Sequence, residues 1–233
     1  MRPARAILLT SVVAWIVLYV AGFVALGSSV PTVESSGAEI VSWFSENRTN
    51  AQVYAWTAAF TSLALAVFGA QIATLLPRPH RYLLLAGIFA WIIAGQVQAW
   101  FWVGLALHPE GLDPETARTI FDIPAYFGPI INGSTMTMAA AVAPLGFGRA
   151  PVVPRWLAWI SVVFFLEQAV ETVTVFGETG FIAPGGTMNI YLGGVIGMAF
   201  VIGVLCWGMA QLDSPSAEPA ASTATRSDVT TVR

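Results

Sequence analysis

Apolar residues run through this chain in long blocks, and the polar residues gather in short stretches between them. A helix that crosses a bilayer takes about 20 mostly apolar residues, and six blocks reach that length. They lie at about residues 6–27, 52–76, 82–107, 121–147, 155–176 and 187–211. The pattern predicts an all-α polytopic membrane protein, a six-helix transmembrane bundle occupying residues 1–212. Residues 213–233 are rich in Ser, Thr, Ala and Pro and read as a disordered cytoplasmic tail.

Two of the intervening stretches carry helix signals of their own. Ser36-Gly-Ala-Glu39 has the spacing of a capping box, and Ile40, Val41, Trp43 and Phe44 follow it. That predicts a short amphipathic helix, lying either on the outer membrane surface or over the mouth of the bundle. Asp113-Pro114-Glu115 predicts a second helix start, with Asp113 as cap and Pro114 in the first turn. This helix is expected to end near Phe121, ahead of Pro124.

Composition supports the membrane reading. Hydrophobic residues make up 56% of the chain and charged residues 10%, which excludes an ordinary soluble domain. All ten basic residues are arginines. Arg2, Arg5, Arg78, Arg81, Arg149, Arg155, Arg226 and Arg233 fall in alternate connections of a six-span chain. The opposite loops hold Arg48 and Arg118 among many carboxylates. The positive-inside rule then places both termini in the cytoplasm, in the inner (plasma) membrane. The first apolar run, from Ala6 to Leu26, exceeds a signal-peptide core of about 7–15 residues, and no A-x-A site follows it. It is expected to be a retained helix. The net charge of −3 gives no sign of nucleic-acid binding. Cys206 stands alone, so no intrachain disulfide forms, and its place in the sixth block predicts an inert buried thiol.

The fifth block contains the main anomaly. Glu167 and Glu171 sit inside a run otherwise fit to cross the bilayer, where each charge costs about 2.5–3.5 kcal/mol on insertion scales. Four residues apart, they share one helix face. Desolvation and the neighbouring like charge favour a shared or bound proton on the pair. At 1.5 Å of rise per residue, Glu167 lies about 18 Å above Arg155 and Glu171 about 24 Å. Gln96 and Gln98 lie about 22 and 25 Å above Arg81, and Asn132 and Thr61 about 25 Å from their own arginines. These residues form one polar layer, from the midplane into the outer half. Pro124 and Pro129 break the fourth block beside it, as in transporters whose interrupted helices build the binding site. The expectation is a polar site of Glu167, Glu171, Gln96, Gln98, Asn132 and Thr61 that takes a small polar or cationic solute. The bland alternative is a hydrogen-bonded network that only fixes helix order.

Small residues mark helix contacts: Ala86, Ala90 and Ala94 on the third block, Gly193 and Gly197 on the sixth. They are expected to pack within the bundle, between copies in a homo-oligomer, or against a membrane partner subunit. Several chemistries lack support. His80 and His108 fall at opposite ends of the third block and cannot share a metal or haem within one chain. No zincin, P-loop or nucleophile-elbow motif is present. No cofactor, metal or catalytic set is expected.

The segment from Gly37 to Arg78 reads GAEIVSWFSENRTNAQVYAWTAAFTSLALAVFGAQIATLLPR. Its acidic Trp43-Phe44-x-x-Asn47-Arg48 turn leads into the second block, which closes on a short arginine-bearing loop. It resembles a family of six-span actinobacterial integral membrane proteins to which no chemistry is assigned. The resemblance implies the layout and carries no functional residue. Three function classes follow from the whole: binding or transport of a small solute at the polar layer, a structural or accessory membrane subunit, and an intramembrane lipid-modifying enzyme.

Overall fold

Five of the six long apolar blocks each form one long helical segment, and the helices pack in chain order. The computed structural model describes residues 3–27 and 29–213, so Arg2, Arg226, Arg233 and nearly all of the tail at 213–233 lie outside it. The helices are α1 (Pro3–Leu26), α2 (Gly37–Glu46), α3 (Arg48–Leu75), α4 (His80–Leu107), α5 (Pro114–Ala125), α6 (Phe127–Val142), α7 (Arg155–Glu171) and α8 (Gly194–Asp213). No strand occurs among the described residues. Five helical segments are long and apolar enough to cross a membrane: Pro3–Leu26, Arg48–Leu75, His80–Leu107, Arg155–Phe176 and Tyr191–Leu212. Helices α1, α3, α4, α6, α7 and α8 close a ring, each packed on the next and α8 back on α1.

The fourth block differs from a single span at 121–147. Its beginning is the end of α5, which runs through Pro124 to Ala125, and α6 starts afresh at Phe127. Pro129 is the third residue of α6, where a backbone N–H has no partner within the helix anyway. It therefore opens a helix and does not kink one. After Val142 the chain tightens into a 3₁₀ turn over Ala143–Gly146.

The capping box forms as expected. Ser36 N donates to Glu39 Oε2 at 2.7 Å, and Glu39 N donates to Ser36 Oγ at 3.3 Å. The backbone and hydroxyl of Ser36 hold the Glu39 carboxyl below its usual range. Between its two expected placements, α2 takes the second: Ile40, Trp43 and Phe44 are buried against Trp102, Leu105, Ala117 and Phe121. Burial of each such side chain stabilises by about 1.5–3 kcal/mol. Gly37 lies so close to Pro114 of α5 that no Cβ fits between them. Asn47 closes α2, donating from its backbone and from Nδ2 to the Trp43 carbonyl at 2.8 and 3.0 Å. The Trp-Phe-x-x-Asn-Arg turn is thus a cap and a cover.

Two apolar cores result. One, built on Leu8, Ile72, Ile88, Val142, Leu157 and Val204, fills the end of the ring that bears Arg78 and Arg155. The other lies under α2 and α5. One expectation, the buried thiol, needs correction. Cys206 is exposed on the outside of the ring, because the helix that carries it buries Val204 and Trp207 instead. Ala86 and Ala90 also face outward, and Ala94 is half-buried. The close contact on α4 is made by Gly87, where a Cβ would stand 2.7 Å from the Ser134 carbonyl oxygen.

Candidate functional site

The buried stripe of α7 is Leu157, Ser161, Phe164, Gln168 and Glu171, in steps of four and three, and Thr174 extends it past the helix end. Gln168, not a glutamate, holds the centre of that stripe. Glu167 precedes it by one residue and so sits at the margin, between the buried face and the outward residues Val163, Leu166 and Val170. Glu171 is 1% exposed and Glu167 8%.

Gln168 joins the two carboxylates. Its Nε2 donates to Glu167 Oε2 at 2.8 Å and to Glu171 Oε2 at 2.6 Å, which uses both amide hydrogens. Its Oε1 accepts from the Thr135 hydroxyl of α6. Glu171 Oε1 accepts from Asn189 Nδ2. Asn189 lies in the π-helical turn Met188–Gly193 that leads into α8. Such wide turns are rare and recur at functional sites.

Two glycines make room for this arrangement. A Cβ on Gly193 would stand 2.6 Å from Glu171 Oε2, and a Cβ on Gly128 would stand 2.5 Å from Asn189 Oδ1. Gly193 therefore works inside the bundle, against α7. Gly197 does the same, with ordinary contact to Phe164 at 3.4 Å.

The donor count leaves the site short. Four carboxylate oxygens meet three amide N–H donations. Glu167 Oε1 is buried without a partner. Among the described residues no arginine or histidine bonds either glutamate. A buried carboxylate oxygen in that position is satisfied by a proton of its own, by a cation or by a bound water. On α6, Asn132 is 1% exposed and its Nδ2 also lacks an acceptor, one turn from Thr135.

Comparisons of this chain with protein-family models, with curated proteins and with solved structures return no match.

The structure divides the expected polar layer in two. Glu167, Glu171 and Asn132 lie where α6 and α7 meet. Gln96 and Gln98 lie at the α3–α4 contact, and Thr61 is buried on α3. Gln96 Nε2 donates to the Ala58 carbonyl at 3.0 Å and to Ser62 Oγ at 2.6 Å. Gln98 Oε1 accepts from the Tyr54 hydroxyl at 3.0 Å, and Thr61 bonds its own helix at the Thr57 carbonyl. None of the three bonds a glutamate. The glutamates take instead Gln168, Asn189 and, through Gln168, Thr135.

Glu167 also borders the surface. It lies in a groove of about 310 Å³ with Val163, Leu166, Val170, Met188 and Leu192, between α7 and the start of the last helical segment. Everything the groove exposes is apolar. Glu171 itself is buried, and nearby Gly180 N donates to Glu34 Oε1 at 2.8 Å.

Among the described residues no group of three or more His, Cys, Asp or Glu comes together as a metal site. His80 Nδ1 lies 2.9 Å from the Ala141 carbonyl oxygen and ties α4 to α6. His108 ends α4 at its other tip.

Proposed function

We propose that this chain is an integral membrane protein of six spans, with both termini in the cytoplasm, whose α7 carboxylate pair binds a proton or a small cation. The role that fits such a site is transport or sensing of a small solute. The observation that carries the reading is the unpartnered Glu167 Oε1 in a cluster with more acceptors than donors. An intramembrane carboxylate without a basic partner marks an ion or solute path more often than a structural contact. The sixth span is α6. Its 16 residues and four-residue 3₁₀ extension reach about 32 Å, close to the thickness of a hydrocarbon core. The likeness of the Trp43–Arg48 turn to six-span actinobacterial proteins bears on this layout alone.

The test is thermal unfolding of the detergent-purified protein at acid and neutral pH, with and without sodium, potassium or methylammonium. A ligand that binds only the folded state raises the melting temperature. The reading expects such a rise in wild type and its loss in Glu167→Gln. A melting temperature indifferent to pH and cation in both proteins contradicts it.

A second reading, an accessory subunit, draws on the outward face of Ala86 and Ala90, where small residues permit close helix approach. It expects Ala90→Leu to abolish assembly with a partner or a second copy while Glu167→Gln leaves function intact.

A further inference from the structure

The shape around Glu167 says more than that a cation fits. The groove walls, Val163, Leu166, Val170 and Leu192, are among the exposed apolar side chains of the molecule, and Met188 closes the floor beside the glutamate. Nothing polar is offered to water along it. A hydrated ion loses its shell there with no ligand to replace it, whereas a hydrocarbon chain gains contact along the whole length. Glu167 is the one ionisable residue of the lining, and its Oε1 is buried beside the groove with no bond of its own.

A second groove, of about 420 Å³ between α3 and α4, makes a useful contrast. It reaches Gln96, but both amide hydrogens of Gln96 are already given to Ala58 and Ser62. No charged side chain lines it. Of these two grooves, the one on α7 joins an apolar trough to a carboxylate with an unbonded oxygen.

We propose that the Glu167 groove binds an amphiphile with a primary ammonium head and a single hydrocarbon chain, reaching it sideways through the apolar face of the ring. The chain lies along Val163, Leu166, Val170 and Leu192. The carboxyl of Glu167 turns toward the trough, and Oε1 accepts an N–H from the ammonium group. A volume of about 310 Å³ is at the small end of the range for ligand sites and suits one chain rather than two. This rests on the cation-binding reading of the same carboxylate and adds the identity of the cation.

The probes are decylammonium, decyltrimethylammonium, decanol and methylammonium, each added to the purified protein in non-ionic detergent while the melting temperature is followed. The first three share a chain and so a comparable tendency to enter the micelle. Decylammonium is expected to raise the melting temperature at a concentration at least about tenfold below methylammonium, because its chain is buried as well. Decyltrimethylammonium, which has no N–H, is expected to be weaker, and decanol to give no shift that depends on Glu167. Glu167→Gln, of nearly equal shape, removes the effect. Val170→Trp blocks the trough from an exposed position and removes it with the carboxylate intact. Equal potency of methylammonium and decylammonium overturns the amphiphile and leaves the small-cation reading standing. Equal potency of decanol overturns the role of charge. No response to any cation, with Glu167→Gln indifferent, overturns both.

Discussion

Gly193 and Gly194 are neighbours in the sequence and offer a sharp test of how Glu171 is held. An alanine in a helix is normally about 1 kcal/mol better than a glycine, and on that ground both substitutions stabilise. The surroundings differ. At Gly194 a Cβ meets nothing within 4 Å, whereas at Gly193 it stands 2.6 Å from Glu171 Oε2 and 3.2 Å from its Cδ. The carboxylate has no free space to retreat into, since Gln168 and Asn189 grip its two oxygens. Either the helices part, at the overpacking cost of about 1–3 kcal/mol, or Glu171 gives up a buried hydrogen bond for about the same. Gly193→Ala is therefore expected to be about 2–4 kcal/mol less stable than Gly194→Ala. Reversible unfolding in mixed micelles measures the difference. Repeating the pair in a Glu171→Ala background should remove most of it, since the coupling belongs to that contact. If the two glycine variants are equally stable, or if their difference survives without Glu171, the placement of Glu171 against the last helix is refuted.

Other expectations follow from the same contacts. Gln168→Leu keeps the volume but removes both donors to the carboxylates, and should cost about 2–5 kcal/mol in the same unfolding measurement. Gln96→Leu should destabilise less and leave any cation response at Glu167 unchanged, because Gln96 serves the α3–α4 contact. Ser36→Ala should speed amide exchange in the first turn of α2 by about fivefold, read by hydrogen–deuterium exchange. The cap also has a pH sign. The Glu39 carboxyl titrates lower in the folded chain than in the unfolded one, so its contribution is full above the usual carboxylate range and is lost as pH falls through its lowered value. Exchange protection of α2 should drop on acidification in wild type, with a smaller drop in Glu39→Gln.

The helices themselves are legible in the sequence because burial in either lipid or protein demands long apolar runs, and Arg155 to Phe176 or Ala6 to Leu26 meets that demand without help from tertiary contacts. Depth along an axis is legible too, since it is only a residue count. Rotation about the axis is not. Gln96 and Gln98 share a level with Glu171, yet α4 turns them toward Tyr54 and Ala58. Glu167 and Glu171 stood out because a carboxylate in an apolar run is an energetic anomaly. Gln168 between them did not, although it binds both. Asn189 was hidden for another reason: it reaches Glu171 only because a π-helical turn and the missing side chain of Gly128 admit it. Pro124 and Pro129 did announce a break, but not that Pro129 would fall in a first helical turn, where proline costs little. The capping box at Ser36 was readable, while the choice between membrane surface and bundle mouth turned on Trp102 and Phe121, distant in sequence.

The account turns on Glu167 being a carboxyl that is reached from the apolar side and is free to take a proton or a cation. Carbodiimides add to protonated carboxyl groups, and an apolar one travels in lipid. Intact membranes carrying the protein can be treated with dicyclohexylcarbodiimide or with a water-soluble carbodiimide, and the modified residues mapped by mass spectrometry. The expected result is an adduct on Glu167 from the apolar reagent alone, absent in Glu167→Gln and reduced when decylammonium is present. No adduct on Glu167, or labelling by the water-soluble reagent as strong as at exposed Glu110, would contradict the account.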